Sequence, residues 1–238
     1  MLATYAPPGL HDYVLERVLP RFVRPGERAV DLGAGTGALA VRLREAGWDV
    51  LAADIYVDGF NADVSLVQVN FNQPDFASHL GLGTFGLVTA IEVIEHVENP
   101  IGFLRNIGRL LTPGGVAVLT TPNVDSAPAR IKFLLTGTIR MMDAQSEKTH
   151  ITPIFWDLLV RQYLSRAEVK LLDHEVYPPR GYKLTRRGLA QAMQLLSVLM
   201  GGDCLQGDNH VLILGADGKR SLPAVATNWR DASFAVEQ

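Results

Sequence analysis

Apolar residues recur every fourth position from Leu10 through Val14 and Val18 to Phe22, and the chain then breaks at Arg24-Pro25-Gly26. That spacing predicts one amphipathic helix over 10–23, with Pro20 kinking or shortening it. Beyond the break the pattern changes. Short β-rich runs at Arg28–Leu32, Asp49–Asp54, 64–71 and Phe85–Ile91 are joined by segments that include a helical pattern over 38–46. Such alternation predicts a parallel sheet flanked by helices.

Asn99-Pro100 supplies an N-cap and a first-turn proline for a helix whose buried face is Leu104, Ile107 and Leu111, stopped by Thr112-Pro113-Gly114-Gly115. A strand over 116–121 follows, then a mixed segment over 125–150 that reads as an insertion containing a helix and able to cover a site. Thr152-Pro153 repeats the helix-start signal, with Phe155, Leu159 and Tyr163 as the apolar stripe. A strand over 169–176, a helical stripe of Leu189, Met193, Leu196 and Met200, and a last strand over 210–214 complete the pattern. We expect a single domain over 1–238 with a peripheral tail over 216–238.

Composition narrows the partners. The chain has 238 residues, 47% of them hydrophobic, and a formal net charge of -3, which argues against a surface given over to nucleic acid. Between residues 126 and 190, however, eleven Arg and Lys stand against six Asp and Glu. The lone Cys204 excludes an internal disulfide and a cysteine-based zinc site. No signal-like amino terminus and no stretch long enough to span a membrane is present, so a cytoplasmic setting is expected.

The first candidate chemistry lies in VDLGAGTG, residues 30–37, where a strand ends, glycines turn the chain and a helix opens. The crevice at the carboxyl edge of such a sheet is a ligand site. Asp54 closes the next strand about 20 residues later, where an acid can accept from the hydroxyls of a ribose. An adenosine-containing cofactor fits this pair, and the spacing leaves a dinucleotide and S-adenosylmethionine both open.

Four ordered blocks carry the reading further: VDLGAGTG, VLAADI at 50–55, LVTAIEVIEHVENP at 87–100 and LLTPGGVAVLTTPN at 110–123. In combination they resemble the class I S-adenosylmethionine-dependent methyltransferases, over roughly residues 28–214. The resemblance implies an α/β, Rossmann-like, doubly wound sheet of seven mostly parallel strands with an antiparallel last strand. It also implies that Gly33, Gly35 and Gly37 line the methionine portion of S-adenosyl-L-methionine with Asp31 nearby. Asp54 would hold the ribose, and Asn70 stands where many relatives carry an acid for the adenine amino group. Ile55, Phe71 and Glu92 are placed with them among the cofactor-binding positions. Gly86 departs from an aspartate frequent in relatives, and we expect it to affect local packing.

The segment IEVIEH places Glu92, Glu95 and His96 at the end of the fourth strand, beside the expected methyl group. Glu-x-x-Glu-His resembles two metal-dependent groups of O-methyltransferases, those of ubiquinone biosynthesis and those acting on the terminal 2′-hydroxyl of small RNAs. A fourth candidate ligand is His150. Two carboxylates with one or two imidazoles suit Mg²⁺, Mn²⁺ or Zn²⁺. Without metal, His96 or His150 could act as general base, and a scaffolding role for the acid and imidazole is the third reading.

Acceptor recognition is expected from the first helix, the insertion and residues 177–200. There Arg180, Lys183, Arg186 and Arg187 offer either an anion site or a solvated basic face, and Met141 and Met142 offer apolar lining or packing. We expect methyl transfer to a hydroxyl oxygen of a small-molecule acceptor. An RNA 2′-O-methyltransferase is the second reading, although no row of aromatic and basic residues for base stacking is evident. A non-catalytic cofactor-binding module is the third.

Overall fold

The structure is a computed structural model and describes residues 2–143, 149–200 and 205–216. The expected tail and Cys204 lie outside the described residues, except that Ala216 ends a strand. Seven strands form one sheet: β1 Arg28–Leu32, β2 Asp49–Asp54, β3 Ser65–Gln68, β4 Phe85–Ile91, β5 Leu111–Pro122, β6 Val169–Tyr177 and β7 Asn209–Ala216. Their order is β3-β2-β1-β4-β5-β7-β6. Strands β1 to β5 pair in parallel, and β7 runs antiparallel to both β5 and β6. The order reverses between β1 and β4, so the crevice for a ligand opens at their carboxyl ends.

The first helix, α1, covers 10–22 with α-helical ends and a wide turn over Val14–Val18 between them. In a regular helix the ring of Pro20 would press on the carbonyl of Glu16, and the wide turn relieves that clash without ending the helix. Leu10, Val14 and Val18 are buried beneath one face of the sheet, packed with α2, Ala38–Glu45. Helix α3, Pro100–Leu110, covers the other face through Phe103, Leu104, Ile107 and Leu110, and Asn99 Oδ1 caps it by accepting from Gly102 N at 2.9 Å. Leu111, expected on this helix, instead opens β5 and is still buried. Strand β4 is buried at every position, which explains its unbroken apolar run.

The insertion holds α4, Ala127–Thr136. Thr152-Pro153 does not start the next helix: the Thr152 hydroxyl donates to the Val97 carbonyl at 2.6 Å, and α5 spans 156–167. Its first amide, on Trp156, donates to Asp125 Oδ2 at 2.7 Å, so the cap comes from 31 residues upstream. The last helix, α6, is Arg187–Met200. Leu189, the first residue of the expected stripe, is 54% exposed and is not core. Gly86 lets the chain bulge in the β4–β5 pairing and leaves room for the Glu27 carboxylate, which a Cβ there would strike.

Candidate functional site

The loop after β1 turns through three glycines with φ of 71° at Gly33, 54° at Gly35 and 85° at Gly37. Gly33 N and Ala34 N donate to the Ala53 carbonyl at 2.8 and 3.2 Å, which ties the turn to the end of β2. Asp54 completes the tie: Oδ2 accepts from Gly35 N and Oδ1 from Tyr56 N, both at 2.8 Å. Each carboxylate oxygen keeps a further lone pair for a ligand hydroxyl. A Cβ on Gly33 would stand 2.5 Å from Val93 Cγ2, so this glycine serves the protein's own packing as well as any ligand.

Asp31 is buried on β1, and the Thr89 hydroxyl on β4 donates to its Oδ1 at 2.7 Å. Burial raises its pKa from 3.8 to about 7, opposed by the Thr89 hydrogen bond. A buried acid in this state is a receptor for a cation, whose approach would restore ionisation. On the far side of the crevice Asn70 Oδ1 accepts from Asn72 N at 2.9 Å in a local turn. Phe71 packs edge-on against Phe76 and Phe103, and Ile55 is exposed with its carbonyl accepting from Gln68 Nε2 at 3.0 Å.

The two glutamates after β4 part company. Glu92 takes a left-handed backbone with φ of 58°, and its carboxylate turns toward β5 and β7. There Thr120 Oγ1 donates to Oε1 and Asn209 Nδ2 to Oε2, both at 2.7 Å. Burial raises the Glu92 pKa to about 7 against those two hydrogen bonds. Glu95, in the turn Ile94–His96, faces the other side of the sheet, where Thr121 Oγ1 donates to its Oε2 at 3.1 Å. Its pKa is pushed well above the usual carboxylate range, first by burial and then by the neighbouring Glu92 charge.

Glu95, His96 and His150 each present a ligand atom within 4.8 Å of the others. Glu92 is not in that group. The Glu95 carbonyl accepts from Ile151 N and Thr152 N at 3.0 Å each, so the end of the insertion is pinned directly over this turn. His96 Nδ1 lies 3.1 Å from the Thr149 carbonyl and His150 Nδ1 2.6 Å from the Met141 carbonyl. A carbonyl only accepts, so each neutral ring carries its proton on Nδ1 and its lone pair on Nε2. His150 Nε2 faces Glu95 Oε1 at 3.9 Å, and the two rings meet edge-on with centroids 4.7 Å apart.

A model of the methyltransferase domain matches residues 6–176, most of the chain. The chain belongs to the class I S-adenosylmethionine-dependent methyltransferases. The methyltransferase is 33% identical over 173 residues to a ubiquinone biosynthesis O-methyltransferase of Xanthomonas oryzae, covering 69% of this chain and 71% of the relative. It is 31% identical over 149 residues to the Xanthomonas campestris protein of the same name, covering 59% of this chain and 61% of that one, so it spans under two thirds of that relative's length. Among solved structures, S-adenosylmethionine-dependent methyltransferases from Archaeoglobus fulgidus and Mesorhizobium loti share the fold. They are 15% and 18% identical, with TM-scores of 0.58 and 0.55, and cover 86% and 87% of this chain and 92% and 98% of theirs. No helix among the described residues of the methyltransferase is long and apolar enough to cross a membrane.

Sequence reasoning missed the partners that aim these groups: Thr89, Thr120, Thr121, Asn209 and the Met141 carbonyl. A signal for two of them was present. Adjacent threonines at the end of a strand must point to opposite faces, so one serves Glu92 and the other Glu95. Of the basic residues, Lys183 is a tie to the amino-terminal segment, donating to the Pro8 carbonyl at 3.2 Å and to the Tyr177 hydroxyl. A cleft of about 410 Å³ beside Leu15, Leu19 and Trp48 lies near the starts of β1 and β2 and includes none of the candidate residues.

Between pH 3.8 and about 7 the unfolded chain releases the Asp31 proton while the folded chain keeps it, so this group costs stability as the pH rises. Asp31→Asn is expected to raise the melting temperature of the cofactor-free protein at pH 8, with the gain vanishing near pH 4. It should also weaken S-adenosylhomocysteine by roughly tenfold or more, the loss of one charge-assisted contact. Thermal melts across pH and calorimetry check both halves, and a variant that melts lower at pH 8 would refute the first.

Proposed function

We propose that the methyltransferase transfers the methyl group of S-adenosyl-L-methionine to a hydroxyl oxygen of a small-molecule acceptor, with a divalent cation held by Glu95, His96 and His150. The observation that carries this is the Glu95 carboxylate, whose buried Oε1 has no hydrogen-bond partner and points toward His150 Nε2. A lone-pair atom of a buried acid facing that of an imidazole is an unfavourable contact unless something electropositive lies between them. Backbone carbonyls on both Nδ1 atoms are the outer partners expected of metal-bound histidines, because they fix the tautomer that exposes Nε2. One carboxylate and two imidazoles suit Mn²⁺ or Zn²⁺ better than Mg²⁺, which prefers an oxygen-rich set.

When bound, the cation would supply Lewis acidity that lowers the pKa of an acceptor hydroxyl. The chain's own residues do the rest. Asp31, Asp54 and the glycine loop hold the donor along the ends of β1 and β2. Thr120 and Asn209 fix Glu92 between donor and acceptor. His96 and His150, with their protons held on Nδ1 by the Thr149 and Met141 carbonyls, would each present Nε2 to the cation, and the proton that the acceptor loses would pass to solvent water. The ubiquinone-pathway relatives support oxygen as the methylated atom.

The test is mass-spectrometric product analysis with a panel of phenols, catechols, hydroxy acids, amines and an RNA oligonucleotide. Metal-stripped protein is assayed alone and after adding Mn²⁺, Zn²⁺ or Mg²⁺. An O-methyl ether of a small phenol or alcohol, stimulated by Mn²⁺ or Zn²⁺, is expected. Methylation confined to nitrogen, carbon or RNA would overturn the acceptor assignment, and full activity in chelator would overturn the metal.

A further inference from the structure

Among the described residues, five buried side-chain polar atoms have no hydrogen-bond partner: Glu95 Oε1, Ser126 Oγ, Arg140 Nη1, Asn209 Oδ1 and His210 Nε2. All five lie toward the carboxyl edge of the parallel strands. Glu95 follows β4, Ser126 follows β5, and Asn209 and His210 open β7 opposite Pro122 and Thr121. Arg140, 9% exposed, reaches the same edge by pairing with Asp208, the residue before β7. A buried polar atom is costly if nothing meets it, so the atoms at this edge that the cation does not claim point to a polar ligand there.

Arg140 is the member that names the ligand's chemistry, because a guanidinium only donates and its unmet Nη1 requires an oxygen acceptor. Its other end is held: Nη2 donates to Asp208 Oδ1 at 2.8 Å and to Thr185 Oγ1 at 3.4 Å. Asp208 is itself held, its Oδ2 accepting from Lys183 N at 2.6 Å and Leu184 N at 3.0 Å. The chain on either side leads into the site. Met141, next to Arg140, orients His150 and has a left-handed backbone with φ of 69°, and Asn209, next to Asp208, holds Glu92. Backbone held in that conformation by a non-glycine residue is stored where a site needs it.

We propose that Arg140 is the acceptor-specificity residue and that it receives a carboxylate of the acceptor, which makes the substrate a hydroxylated carboxylic acid. A monoanion suits the site better than a phosphate dianion, because Asp208 already offsets the guanidinium charge. The inference rests on the small-molecule acceptor reading, and it is tested by binding without turnover so that the two can fail separately.

The probes are two matched pairs, 3,4-dihydroxybenzoate against catechol and salicylate against phenol, titrated by calorimetry into the S-adenosylhomocysteine complex. The proteins are the wild type, Arg140→Lys, Arg140→Met and Arg140→Met/Asp208→Asn, the last removing the acid that Arg140→Met leaves buried without its ion pair. In at least one pair the carboxylate is expected to bind wild type about tenfold or more tighter than its neutral partner. Arg140→Lys should retain part of that preference. Both methionine variants should lose it while binding S-adenosylhomocysteine within about twofold of wild type. No carboxylate preference in the wild type, including no binding by either member, or a preference that survives in the methionine variants, would overturn the proposal and leave Nη1 to buried water.

Discussion

Replacing Glu95 by Gln is expected to lower methyl transfer by roughly 10²-fold or more while leaving S-adenosylhomocysteine affinity within about twofold. The change keeps the shape and the acceptor for the Thr121 hydroxyl. It removes the negative charge that would draw a cation to the gap between Glu95 and His150. Because the Glu95 pKa stands well above the ordinary range, the folded protein already resists ionising it without a counter-charge. The variant should therefore be no less stable than wild type in chelator. It should also show no calorimetric Mn²⁺ signal, where wild type does. A variant with near-normal turnover would reduce Glu95 to a scaffold and remove the metal from the reaction. Glu92→Gln is the informative neighbour: its carboxylate is satisfied by Thr120 and Asn209, so metal binding should survive the change.

The second large effect is structural and reaches the donor site through packing. Gly37 has φ of 85°, its amide donates to the Ala34 carbonyl at 2.8 Å, and it opens α2. An added Cβ would collide with the Ala62 methyl and lie 2.8 Å from Phe60 Cε2. Gly37→Ala should cost about 1–2 kcal/mol for the left-handed backbone and a comparable amount for overpacking. Together that is roughly 3 kcal/mol, a fall of about 6–12 °C in melting temperature for a chain of this size. S-adenosylhomocysteine affinity should fall with it, since the segment over 60–62 must move away from the glycine loop. Gly59→Ala serves as the control, because nothing lies within 4 Å of its Cβ and its φ is not positive. A Gly37→Ala protein that melts with wild type would show that the loop has room to spare.

Much of the donor side was legible in the chain because its pattern is local. A strand, a glycine turn, a helix and an acid closing the next strand are consecutive in sequence, and each follows from nearest-neighbour preferences. Asn99-Pro100 likewise marked the start of α3, where the capping hydrogen bond spans three residues. The start of α5 was misplaced for the opposite reason: its cap is Asp125, far upstream, and Thr152 bonds to Val97 instead. Propensity cannot reveal a partner that only folding brings near.

By itself the sequence determined the order of strands and helices, the glycine turn with Asp54, and the presence of Glu92, Glu95, His96 and His150 as groups able to do chemistry. Only the tertiary structure decided how those groups divide. Glu92 and Glu95 are three residues apart and read as one ligand pair, yet a left-handed backbone at Glu92 and the tight turn after it send them to opposite faces of the sheet. Thr120 and Thr121 receive them separately because neighbouring strand residues point in opposite directions. His150, Arg140 and Asn209 join from later in the chain, brought in by the insertion and by the antiparallel return of β7. A side chain's chemical type is a property of the sequence, but its partner across a sheet is set by packing and register, which the whole chain settles together.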